Sequence, residues 1–135
     1  MRLRQLIAVS SAACAFAIAG PAGPASAAEL TLAPVQDASI FHGTAASATL
    51  ADGAGDYLWM STTAEGLVRR ALLRFDLSSL PPGTVVREAR LSLYESRSRT
   101  THPVRLHRLL QAWSEGPSSA GGAGNGVPAV AGDVT

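Results

Sequence analysis

The side chains best suited to binding a ligand in this 135-residue chain are its arginines. Nine of the eleven lie between Arg69 and Arg108, a stretch with only three acidic residues, and the chain has no lysine. A guanidinium group matches a carboxylate or sulfate through two parallel hydrogen bonds, whereas the lysine ammonium acts as a point charge. The pattern favours a surface for an acidic ligand. A GC-rich genome, in which arginine replaces lysine, would produce the same bias.

Several kinds of catalytic chemistry are excluded by composition. Without lysine the chain has no Schiff-base amine and no phosphate-loop lysine. Its only cysteine, Cys14, lies in a leader segment, and His42, His102 and His107 lack the spacing of metal ligands. Serine, histidine and aspartate all occur, but no Gly-x-Ser-x-Gly motif presents a nucleophile. The sequence therefore predicts a protein that is not an enzyme.

The sequence predicts that the arginines lie mainly on β-strands. Ala71, Leu73 and Phe75 alternate with polar residues, apart from Leu72, and a second alternating run follows a Pro-Pro-Gly turn. The connection is too long for a two-residue hairpin, so the two strands are expected in different sheets. The predicted strands are Leu30–Ala33, Ala38–Phe41, Thr49–Ala51, Tyr57–Ser61, Val68–Asp76, Val86–Tyr94 and Val104–Leu110, with a helix around 106–113 as the alternative for the last.

This spacing of short strands and turns predicts an all-β fold, a jelly-roll-like antiparallel β-sandwich. Seven strands are few for that fold, so the sandwich is expected to be incomplete at the C-terminus. The stretch from Gly116 to Gly132 is mostly Gly, Ala, Ser and Pro, which predicts a long loop.

The N-terminus has the pattern of a secretory signal peptide. Arg2 and Arg4 precede an apolar run that is too short for a membrane helix, and small residues follow. Cleavage is predicted after Ala27, with Ala28 as the alternative, so the protein is expected to be secreted and free of the membrane. The predicted organisation is a signal peptide at 1–27, a lead-in at 28–33 and one domain at 34–135. After cleavage the chain would contain nine arginines and ten acidic residues, which gives a net charge of about −1. This charge argues against nucleic acid as a partner.

Several segments of the chain resemble segments of one known family, and they occur in the same order. They are Gln36–Ile40, Arg70–Gly83, Ala89–Tyr94, Val104–Arg108, the Trp113-Ser-Glu-Gly116 step and the glycine-rich stretch that leads to Gly132–Thr135. This arrangement resembles the DNRLRE-domain proteins, which are grouped with carbohydrate-binding module family 96. The literal string that names those proteins is absent. The resemblance implies a jelly-roll module that occurs in exported bacterial proteins and is often attached to enzymes that degrade polysaccharides. Some members of the family are similar to alginate binders.

The resemblance turns the arginines and aromatic residues into candidates for sugar binding. Tyr57, Trp59, Tyr94 and Trp113 could offer ring faces to sugar C–H groups, although Trp113 ends an apolar run and is expected in the core. An ordinary solvated sheet face is the alternative for these residues. The selected candidates are Trp59, Tyr94, Arg70, Arg74, Arg90 and Arg105.

A structural calcium is the only cofactor that the sequence suggests. Asp52 and Asp56 lie four residues apart in a glycine-rich loop, as acidic ligands do in calcium loops, but Ala54 stands where another oxygen ligand is wanted. A tight turn explains the same residues. Because sandwich modules that bind glycans often hold calcium, Asp37, Asp52 and Asp56 are the candidate ligands.

The sequence as a whole predicts a secreted, non-catalytic module that binds polysaccharide, with acidic polymers such as alginate preferred. The alternative is a structural or adhesion module of a larger cell-surface protein, without glycan specificity. A fused or downstream domain is a further candidate partner.

Overall fold

Regular structure in the chain is almost entirely β-strand. The computed structural model describes residues 6–12, 27–98 and 102–135. Within these ranges the helical structure is one turn of 3-10 helix, Ser47–Thr49, and there is no α-helix. None of the described segments forms a helix long and apolar enough to cross a membrane. The predicted all-β class is confirmed, and the jelly-roll sandwich stays a prediction.

Two compact units divide the chain, and each contains one antiparallel sheet. The first unit comprises Gln36–Arg74 and Glu95–Thr135. Its five strands are β3 (Gln36–His42), β4 (Leu50–Asp52), β5 (Ser61–Thr62), β6 (Val68–Arg74) and β8 (Val127–Pro128). They lie in the sheet in the order β5-β6-β3-β4-β8.

The pairing of β3 with β6 forms the centre of this sheet. Seven residue pairs join the two strands, from Gln36 opposite Arg74 to His42 opposite Val68. Small and apolar side chains fill the space beside these strands, since apolar area removed from water stabilises the fold. The buried apolar residues of the described chain are Ala38, Phe41, Ala51 and Leu72.

Leu72 interrupts the alternation of β6 because a neighbouring segment covers it. The residue is 7% exposed. It lines a cavity of about 380 Å³ together with Ile40, Leu109 and Trp113. A leucine on the otherwise polar face of the strand therefore packs inside the first unit.

The second unit contains a three-stranded sheet of β1 (Leu6–Ala12), β2 (Ala27–Leu32) and β7 (Val85–Ser92). The strands lie in the order β2-β1-β7. Because β6 and β7 belong to different sheets, the prediction from the Pro-Pro-Gly connection is confirmed. At this turn the Thr84 N–H donates to the Pro81 carbonyl (3.1 Å), and Gly83 takes a φ of +82°, which glycine adopts without steric cost.

The central strand of that sheet falls inside the predicted signal peptide. β1 pairs with β2 on one side and with β7 on the other. Apolar residues suit an extended strand as well as a signal sequence, so the pairing does not test the predicted cleavage. The other parts of the predicted leader, including Arg2, Arg4 and Cys14, lie outside the described residues.

Two predicted strands differ from the structure. Only Ser61 of the predicted strand Tyr57–Ser61 is in a strand, and Val104–Leu110 forms neither a strand nor the alternative helix. Leu106 and Leu110 are 73% and 90% exposed, and no strand of the described chain pairs with their segment. An apolar run becomes a strand only where a partner strand accepts its backbone hydrogen bonds. The predicted loop at 116–132 is confirmed except for the two residues of β8.

Candidate functional site

The Arg69 guanidinium group lies over the Trp59 ring in the first unit. Arg69 lies in β6, and the centre of its guanidinium group is 5.1 Å from the centroid of the Trp59 ring. The Trp59 backbone N–H donates to the hydroxyl oxygen of Ser39 (2.9 Å), a fully buried residue of β3, and this bond fixes the chain at Trp59. Arg69 Nη1 donates to Ser61 Oγ of β5 (3.3 Å). The pair is therefore held by three neighbouring strands.

Tyr57 and Arg97 extend this pair into a four-residue cluster. The Tyr57 and Trp59 rings lie 5.9 Å apart between centroids and are tilted by 56°. The guanidinium group of Arg97 lies 4.2 Å from the Tyr57 centroid and 5.8 Å from that of Trp59, within the range of cation–π attraction. We refer to Tyr57, Trp59, Arg69 and Arg97 as the aromatic–arginine cluster.

Two hydrogen-bond donors in the aromatic–arginine cluster are buried without an acceptor. They are Trp59 Nε1 and Arg69 Nε. A buried donor without an acceptor costs about 1–3 kcal/mol, and an oxygen-rich ligand is one way to satisfy it. The cluster thus combines two aromatic rings, two positive charges and two buried donors without acceptors, groups that suit a polar, anionic ring compound.

The turn that follows β4 lies close to this cluster in the sequence and is built around Asp52. Asp52 is 2% exposed, and its Oδ1 accepts the Ala120 N–H (2.9 Å). Burial raises the pKa of the Asp52 carboxyl above its ordinary value, the bond from Ala120 opposes this rise, and the charge of Asp56 adds to it. A Cβ on Gly55 would overlap the Asp52 carboxylate, so any other residue at that position would displace this side chain.

The carboxylate of Asp133 joins the two ends of the loop at 116–132. Its carboxylate accepts hydrogen bonds from the backbone N–H groups of Ser118 (3.0 Å) and Val130 (2.7 Å) and from the Ser118 hydroxyl. The Ser118 carbonyl in turn accepts the N–H groups of Gly53 and Ala54. Burial raises the pKa of Asp133, but the hydrogen bonds outweigh it, so the pKa lies below its ordinary value.

A comparison with known families decides what kind of domain carries this cluster. The model of carbohydrate-binding module family 96 matches residues 28–118, about two thirds of the chain. The chain belongs to carbohydrate-binding module family 96. No curated protein and no solved structure matches it significantly. The matched residues include the whole aromatic–arginine cluster, which is thus part of a carbohydrate-binding module.

The sequence-predicted sugar-binding residues of this module fall in several places. Trp59 lies in the aromatic–arginine cluster. Arg70 is exposed and points to the opposite face of the sheet from Arg69, because successive side chains of a strand alternate. Arg74 stacks on Trp113 (5.4 Å to the centroid), and its Nη2 donates to the Trp113 carbonyl (2.9 Å).

The remaining predicted binding residues are Arg105, Arg90 and Tyr94. Arg105 is exposed in the irregular stretch 102–110. Arg90 and Tyr94 belong to the second unit, where Arg90 bonds to Glu88 (3.0 Å) and Tyr94 is 67% exposed. The sugar-binding role of Trp59, Tyr94, Arg70, Arg74, Arg90 and Arg105 stays a prediction.

Sequence reasoning missed Arg69 and Arg97 and did not select Tyr57. The two-residue spacing of Tyr57 and Trp59 was a usable signal, because residues two apart in an extended segment share a side. Arg97 lies in irregular structure after β7, where no periodicity indicates its direction.

The described residues contain no group of three or more His, Cys, Asp or Glu side chains arranged to hold a metal ion. Asp52 and Asp56 share one turn, whereas Asp37 lies in β3 opposite Leu73. The calcium site of Asp37, Asp52 and Asp56 stays a prediction.

Proposed function

We propose that this carbohydrate-binding module is exported and binds an acidic polysaccharide, with alginate as the leading candidate. The observation that carries the proposal is the placement of two guanidinium groups against two aromatic rings in the aromatic–arginine cluster. Aromatic rings offer an apolar face to sugar C–H groups, and arginine pairs with carboxylates through two hydrogen bonds. A uronic acid presents both of these features in one ring.

The proposed mechanism assigns separate tasks to the cluster residues. Trp59 and Tyr57 stack against sugar rings, while Arg69 and Arg97 hold the carboxylates. Arg69 and Arg97 take the role predicted for Arg70, Arg74, Arg90 and Arg105, because among the described residues these two arginines lie against Trp59 and Tyr57. The net charge of about −1 after the predicted cleavage gives no general attraction for a polyanion, so the charge contribution is local.

Binding to alginate, measured by affinity electrophoresis or calorimetry, tests this function. Dextran serves as the neutral control, and polyacrylate serves as a polyanion without sugar rings. Preference for alginate over both is expected. Equal binding to polyacrylate would indicate simple ion exchange, and absence of binding to any polysaccharide would favour the structural or adhesion role.

Two substitutions on one strand test the arginine contribution. Arg69→Gln should weaken alginate binding by about tenfold, which corresponds to about 1.4 kcal/mol. Arg70→Gln removes the same charge from the neighbouring residue on the opposite face and should leave binding nearly unchanged. Equal losses in the two variants would contradict the proposed site.

A further inference from the structure

The glycine-rich segment Gly121–Gly126 lies directly against the aromatic–arginine cluster. A Cβ built on Gly124 would lie 2.9 Å from Arg69 Nη1 and 3.0 Å from Trp59 Cδ2, closer than ordinary contact. A Cβ on Gly122 would lie 3.5 Å from Tyr57 Cε2, an ordinary contact distance. Gly124 is not held to glycine by a positive φ, so its glycine is explained by the close approach of the backbone to the Trp59 ring.

Anchors hold this segment on both sides of Gly124. On the N-terminal side the Ala120 N–H donates to Asp52 Oδ1 (2.9 Å) and the Asp56 N–H donates to the Gly121 carbonyl (3.0 Å). On the C-terminal side β8 pairs with β4. The glycine-rich segment between the anchors is therefore a short span with defined ends that lies over the rings.

Arg97 joins the segment to the rings. Its Nη1 donates to the Gly122 carbonyl (3.1 Å), while its guanidinium group stacks on Tyr57 at 4.2 Å. Arg97 is exposed, and contacts of this kind at exposed positions are weak enough to exchange. A sugar that stacks on Tyr57 would displace the Arg97 guanidinium group. A sugar that stacks on the part of Trp59 next to Gly124 would displace Gly124.

We propose that the segment Gly121–Gly126 is a cover that competes with the glycan for the faces of Tyr57 and Trp59, with Arg97 as its latch. This inference rests on the proposed function of the same cluster. The stretch matched by the family model ends at residue 118, before the cover begins. The apparent affinity for glycan should then equal the intrinsic affinity multiplied by the fraction of molecules in which the cover is open.

Fluorescence quenching of Trp59 tests the cover without any ligand. Trp113→Phe leaves Trp59 as the only tryptophan, and acrylamide then reports its exposure. In this background Gly124→Ala, whose new Cβ would crowd Trp59 Cδ2 and Arg69 Nη1, should raise the quenching constant about twofold. Gly122→Ala is the matched control in the same segment and should leave it unchanged. Arg97→Gln, which removes the latch, should also raise it. If the acrylamide quenching constants of the Gly124→Ala and Arg97→Gln variants equal that of the Trp113→Phe parent, the proposed cover is wrong.

Alginate binding by the same Gly124→Ala variant tests the competition. Its affinity should be several-fold higher than that of the parent, with Gly122→Ala close to the parent. A more exposed Trp59 with weaker alginate binding would overturn the competition, because the segment would then belong to the binding surface. If Trp59 becomes exposed but neither parent nor variant binds alginate or another acidic polysaccharide, the proposed function fails and the competition with it, while the cover is confirmed. If the parent binds alginate but Trp59 exposure never changes, the cover alone fails.

Discussion

At the scale of single residues, two carboxyl groups should give opposite pH dependences of stability. Asp52 is buried with one oxygen lacking a partner, and its pKa is raised. Asp133 accepts three hydrogen bonds, and its pKa is lowered. A raised native pKa means that the folded chain binds more protons than the unfolded chain, whereas a lowered one means the reverse.

For Asp52 the expected effect is a loss of stability as the pH rises. Its contribution is present below the ordinary pKa of 3.8 and declines as the pH rises from there through the higher pKa of the folded state. Asp52→Asn removes this titration and keeps an oxygen that can accept the Ala120 N–H. The free energy of unfolding of Asp52→Asn relative to the unaltered protein should therefore rise with pH above 3.8. Urea titrations at a series of pH values measure the difference, and a flat difference would contradict the burial argument.

The prediction for Asp133 has the opposite sign. Its stabilising contribution is present above the ordinary pKa of 3.8 and is lost as the pH falls through the lower pKa of the folded state. Asp133→Asn should be less stable than the unaltered protein at neutral pH, and the gap should shrink in acid. The same titrations apply, and a gap that widens in acid would show that its hydrogen bonds do not favour the charged form.

At the scale of elements, Leu72 links β6 to the segment that covers it. Leu72→Ala should destabilise the protein by about 2–5 kcal/mol, towards the lower end because the residue already borders a cavity. Leu110→Ala is the control, since Leu110 is 90% exposed, and it should change stability by less than about 0.5 kcal/mol. Chemical denaturation measures both. Equal effects would mean that the two residues contribute alike to the fold.

The same strand shows how far the sequence determines the elements. The runs that became β6 and β7 were predictable as strands because apolar and polar residues alternate along them. Burial does not follow this alternation in β7, where seven of the eight residues are exposed. Val104–Leu110 is equally apolar yet forms no strand, because strand formation depends on a partner that the local sequence does not name. The contact of Arg97 with Tyr57 likewise joins residues forty positions apart through irregular structure. Trp59 could be chosen as a candidate sugar-binding residue because it is a tryptophan. Its neighbours Arg69 and Arg97 could not be chosen in this way, because residue type does not distinguish them from the other arginines.

At the scale of the whole molecule, the predicted leader and the second sheet overlap. The family match begins at residue 28, next to the predicted cleavage site, whereas β1 lies before it. An exported chain should therefore begin at Ala28, or at Glu29 for the alternative site. The intact mass of the protein recovered outside the cell checks this prediction, and a mass that includes residues 1–27 would contradict it.

Removal of the leader should change one sheet and leave the other intact. β1 pairs with β7 from Leu6 opposite Ser92 to Ala12 opposite Val85, so a chain of residues 28–135 loses every one of these pairings. Amide hydrogens of β7 should exchange faster in that chain than in the full chain, because strand amides without acceptors open to water. Amides of β3 and β6 belong to the other sheet and serve as the internal control. Unchanged protection of β7 would mean that its backbone finds another partner once β1 is gone, and faster exchange in both sheets would mean that β1 supports the whole fold.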